Sequence, residues 1–134
     1  MIDHHTALIY TMVLVSAADG AMSDAELRTI GEAVNYLPIF RDFDAGTLPT
    51  VAGDCAEILD DDEGLDKALQ MIEGLLPEKL RETAYAIACD VAAADGSVKR
   101  EEMRLLELLR DRLHIERLAA AAIERGARAR HTVI

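Results

Sequence analysis

The residues of this chain best suited to chemistry are two pairs of carboxylates, Asp19 with Glu26 and Asp95 with Glu102, each straddling an Ala-Asp-Gly turn. A carboxylate in such a turn has two uses. It can ligate a cation through oxygen, or it can accept hydrogen bonds from backbone N–H groups two residues on. A Glu at the third position of the following helix can likewise reach back to the cap. The capping use fits the first pair well, because Ser23 followed by Glu26 forms a capping box. In the second pair Ser23 becomes Lys99 while Asp95 and Glu102 stay, so the two stretches share the carboxylates rather than the cap. Asp19 and Asp95 also follow expected helix C-termini, where orphan carbonyls make a carboxylate unfavourable unless a donor or cation is near. On the residues alone both uses stay open.

The pairs recur because the chain repeats itself. The offset is 95 − 19 = 76, and with residues 10–39 laid on 86–115, nine of thirty pairs are identical, among them Val15/Val91, Glu26/Glu102, Arg28/Arg104 and Leu37/Leu113. The string from Asp19 to Glu26 resembles the second half of an EF-hand loop, but the first half fails. Val15 and Ala17, with Val91 and Ala93 in the second copy, stand where oxygen ligands are required. Other site chemistries lack their residues. The histidines, at positions 4, 5, 114 and 131, form no HExxH or ExxH pair, and Cys55 and Cys89 form no CxxC. No GxSxG and no Gly-rich phosphate loop is present either, so the chain is expected not to be an enzyme and its cysteines to be buried, reduced thiols. His4 and His5 read as a solvated terminus.

Helices must hold these turns. A nearly all-apolar first helix from about His4 to Ala18 ends at Gly20, and a second, from Asp24 to Tyr36, is stopped by Pro38 and buries Leu27, Ile30, Val34 and Leu37. A third helix begins near Leu48, and a fourth, carrying Leu65 to Leu75, follows the acidic run Asp60–Glu63, which reads as a solvated turn and cap. Pro77 opens the fifth, which reaches Ala94, and the sixth, about Lys99 to Leu113, buries Met103, Leu106, Leu109 and Leu113. A seventh, about Glu116 to Arg130, ends in arginines that complement its dipole. The fold class is therefore all-α: about seven helices in one bundle over residues 1–134, built on two helix-turn-helix hairpins at about 4–39 and 78–115. Helices one and five, equivalent under the repeat and the most apolar, should pack centrally. If parallel, they bring both turns to one end of the bundle and the four carboxylates into a shared patch. The expected arrangement is antiparallel, which keeps like charges apart and leaves each turn its own Asp/Glu pair about 20 Å from the other.

Charge narrows the partners. The formal net charge is −11, and residues 1–67 hold 14 acidic and 3 basic residues against 11 of each in residues 68–134. Such a field repels nucleic-acid phosphates and anionic lipid while attracting cations and a basic protein partner. The apolar stretch Ala7–Ala18 is too short to span a bilayer, and no basic residue precedes Arg28 to mark a signal peptide. A cytoplasmic chain without membrane insertion is expected.

An apolar helix ending in Ala-Asp-Gly, a Glu six residues after the Gly, the Leu37-Pro38 exit and the second Ala94-Asp95-Gly96…Glu102 hairpin together resemble the TerB-like, tellurite-resistance family. The resemblance covers most of the chain. It implies an all-helical bacterial protein linked to tellurite resistance and stress response, with acidic residues proposed to bind metal and no established enzymatic activity. Asp19, Glu26, Asp95 and Glu102 are the positions that match. An all-oxygen set of this kind suits a hard divalent cation, Ca²⁺, Mg²⁺ or Mn²⁺; the alternative expectation is a metal-independent interaction module.

Overall fold

An unbroken buried run, His5–Ser16, makes the first helix the axis of the molecule. The structure, a computed structural model, describes residues 3–18, 20 and 22–134. Helix α1 (His4–Ser16) starts at Asp3, whose side chain accepts from the Thr6 N–H at 3.2 Å. Two of its buried polar members are satisfied within the helix: Thr11 Oγ1 donates to the Ala7 carbonyl at 2.8 Å and Ser16 Oγ to that of Val13 at 3.1 Å. Packed around α1 are α2 (Asp24–Tyr36), α3 (Leu48–Leu59), α4 (Gly64–Leu75), α5 (Arg81–Ala93) and α6 (Arg100–Arg112). The last helix, α7 (Arg117–Arg130), lies mainly on α5. All seven are α-helices, and no strand occurs among the described residues.

The expected central pairing of α1 with α5 is present. Its close approach follows from composition, since Ala84, Ala88 and Ala92 are fully buried along α5. Outer helices are tied by ion pairs: Arg112 of α6 reaches Asp66 at 2.5 Å and Glu73 at 3.2 Å on α4, and Arg130 of α7 reaches Asp90 of α5 at 2.6 Å. The arginine tail thus has a structural partner as well as a favourable dipole.

Three expectations need correction. His5 is 6% exposed, with Nε2 2.8 Å from the Ile39 carbonyl and its ring against Phe40 and Phe43. It fastens the start of α1 to the 3₁₀ turn Pro38–Phe40 instead of facing water. Pro77 opens a separate 3₁₀ turn, Glu78–Leu80, and α5 begins only at Arg81. Finally, Leu27 and Met103, expected in the core, are 48% and 53% exposed. The inward faces are Glu26, Ile30, Val34 on α2 and Glu102, Leu105, Leu109 on α6, so a glutamate occupies the first core position of each helix.

A buried carboxyl pair at the Asp-Gly turns

Both turns are closed by the same local bonds. Gly20 and Gly96 take φ of 84° and 89°, where glycine is favoured, and donate to the carbonyls of Ala17 and Ala93, each at 3.0 Å. Ser23 N–H then donates to Glu26 Oε1 at 2.9 Å, and Lys99 N–H to Glu102 Oε1 at 3.0 Å. Ser23 completes its capping box by accepting from the Glu26 N–H at 3.1 Å, whereas a lysine has no acceptor to offer. Gly96→Ala is expected to cost about 1–2 kcal/mol through backbone strain alone, because no atom lies within 4 Å of the added Cβ. Urea denaturation checks it: an unchanged midpoint removes the strain account.

Capping uses one oxygen of each glutamate. The other oxygen, Oε2 of Glu26 and of Glu102, is buried with no hydrogen-bond donor among the described residues, and both side chains are fully excluded from solvent. The two carboxyls lie within hydrogen-bonding reach of each other. Two carboxylates there would only repel. A proton on one of them turns the contact into a hydrogen bond. Accordingly Glu102 is pushed up to about 8, first by burial and then by the Glu26 carboxyl and the nearby Asp95 charge, against the opposing pull of the Lys99 N–H. Burial and the neighbouring carboxyl both favour a single proton shared by the pair.

This geometry overturns the antiparallel expectation of two separate sites. The glutamates from both copies meet, so the turns emerge at the same end of the bundle. Charge separation did not decide the packing, because a proton between the carboxyls removes the repulsion that the expectation relied on. Asp95 is exposed at the rim, where its Oδ1 accepts weakly from the Ser97 N–H at 3.4 Å, the turn-capping use of an Asp. Asp19 lies outside the described residues. Among those described, no three His, Cys, Asp or Glu side chains converge as a ready-made metal cluster.

Elsewhere, chemistry is muted. Burial pushes the Cys55 and Cys89 thiols up to about 12, far from a reactive thiolate. The Tyr85 hydroxyl donates to Glu124 Oε2 at 2.5 Å, and Arg110 Nη1 bonds the same oxygen at 3.2 Å. Sequence reasoning missed this triad, and it missed the meeting of Glu26 with Glu102. A signal for the second was available, since each glutamate sits in register with the apolar stripe of its helix.

The family model described as Tellurite resistance protein TerB matches residues 5–125, nearly the whole chain. No curated protein and no solved structure matches it. No helix among the described residues is long and apolar enough to cross a membrane.

Proposed function

Because the chain belongs to the TerB tellurite-resistance family, we propose that its Glu26–Glu102 pair binds a hard divalent cation, Ca²⁺, Mg²⁺ or Mn²⁺, in place of the shared proton. One observation carries this reading: Oε2 of Glu26 and Oε2 of Glu102, on different helices, are both buried without a donor among the described residues, and the two carboxyls interact. Nature rarely leaves such groups unsatisfied. A hard cation supplies the missing positive charge, and Mg²⁺ in particular is often held by one or two carboxylates with water completing its shell. Asp95, exposed beside the pair, and Asp19, which matches the family pattern, are the further oxygen donors we propose for the site. The role is non-enzymatic and belongs to a cytoplasmic stress response, with the cation holding α2 and α6 together at their N-termini.

The shared proton by itself also satisfies the pair, which supports a second reading as a metal-independent interaction module. Calorimetric titration of the protein with each cation at pH 6 and pH 8 separates the two. Binding should release a proton and tighten up to about tenfold per pH unit below the pair's upper titration, and the double variant Glu26→Gln, Glu102→Gln should abolish it. No heat and no change in melting temperature at millimolar metal would leave only the interaction module.

A further inference from the structure

Beside the first Asp-Gly turn runs an apolar groove of about 650 Å³, lined by Val13 and Leu14 of α1, Ala52 and Ala56 of α3, and Leu105 and Leu108 of α6. The α3 residues that line it, Ala52 and Ala56, are small, which leaves room for another molecule's larger side chains. Its lips are apolar and wet: Met22, Leu65 and Leu108 are 38%, 41% and 38% exposed. The rim is acidic. Asp60 and Glu101 line it, with Arg104 as the single lining cation among the described residues. Asp60 also begins the exposed run Asp60–Glu63, and residues 48–66, which make α3 and the start of α4, carry seven acidic and no basic residues.

A second groove, of about 610 Å³ between α5, α6 and α7, makes the contrast. There Glu107 and Glu124 face Arg110 and Arg128, and Arg110 is already bound to Glu124 at 3.2 Å. Its charges balance and select no partner. Of these two grooves, the first combines exposed apolar lips with charge of one dominant sign.

We propose that the α1–α3–α6 groove docks an amphipathic helix of a partner protein, whose apolar stripe is flanked by Lys and Arg. Apolar anchors at helical spacing fill the groove, and the flanking cations reach Glu101 and the Asp60–Glu63 run. A second copy of this chain is a poor occupant, because each copy brings a net charge of −11 against an acidic rim. The docking does not depend on cation binding at the glutamate pair, so either reading can fail without the other.

The test uses a synthetic Leu/Lys peptide of about five helical turns, labelled for anisotropy and titrated with the full-length protein. Micromolar binding at low salt is expected, weakened at least about tenfold when salt shortens the screening length to ~3–4 Å. Glu101→Lys should weaken binding about fivefold or more relative to Glu78→Lys, which makes the same change in net charge away from the groove. Leu108→Ser, at a half-exposed position compatible with folding, should weaken it similarly, with melting curves verifying each variant. A same-composition peptide with its leucines scattered around the helix, and a Leu/Glu peptide, should both bind far more weakly. The proposal is overturned if no peptide binds, if Glu101→Lys and Glu78→Lys act equally, or if the scattered peptide binds as well. Sedimentation showing a dimer that Glu101→Lys alters would instead make a second copy the occupant and overturn it too.

Discussion

Raising the pH from 6 to 9 without divalent metal should lower the melting temperature by roughly 10 °C, and Glu102→Gln should remove most of that fall. The reason is the shared proton. Glu102 titrates near its ordinary value of 4.5 in the unfolded chain but at about 8 in the folded protein. The folded state therefore keeps a proton that the unfolded state has released. Stability from this source is fully present below the unfolded value, declines as pH rises toward the folded one, and is gone above it. Between pH 6 and 9 the loss is about 2–3 kcal/mol, at 1.36 kcal/mol per unit up to the folded value. In the glutamine variant the amide oxygen still accepts from the Lys99 N–H, and its NH₂ donates to the Glu26 carboxylate at every pH. Every other residue is the same in both proteins, so the difference between the two profiles isolates the pair. Parallel profiles for wild type and variant would show that no proton is shared there.

Gly64→Ala should be among the most damaging single substitutions, costing about 3 kcal/mol or more. Gly64 is the buried first residue of α4, and its N–H donates to the Asp61 carbonyl at 3.0 Å. An added Cβ would lie 2.0 Å from the Ile58 carbonyl oxygen and 2.8 Å from the Leu59 Cα. Both are backbone atoms at the end of α3, so relief requires separating two helices rather than turning a side chain. Gly53 and Gly74 are the controls, since each lies within a helix with nothing within 4 Å of its added Cβ. Alanine there should stabilise by roughly 0.5–1 kcal/mol. Urea midpoints for the three variants test the contrast directly, and Gly64→Ala behaving like Gly74→Ala would mean that the α3–α4 corner yields easily.

What the sequence by itself determined was local. The limits of α2, Asp24–Tyr36, follow from the Ser23 capping box and the Leu37-Pro38 exit, and both operate within a few residues. The Asp-Gly turns, the seven helices and the central placement of α1 and α5 were legible for the same reason: period, cap and composition act along the chain. Which face of α2 and α6 turns inward was only partly legible, because Leu27 and Glu26 compete for neighbouring positions on one helix. Hydropathy favours the leucine. The tertiary structure chose the glutamate, since its carboxyl has a partner that hydropathy does not count, the Glu102 carboxyl of the other hairpin. That partner is 76 residues away, and nothing in either hairpin states how α1 and α5 are oriented toward each other. The same holds for His5, whose carbonyl partner Ile39 lies 34 residues on, and for the acidic-rimmed groove, which exists only where α1, α3 and α6 converge. A one-dimensional pattern specifies which side chains seek burial or a charge, whereas the direction in which two apolar helices meet is decided by their summed packing, and that direction places the carboxyls together.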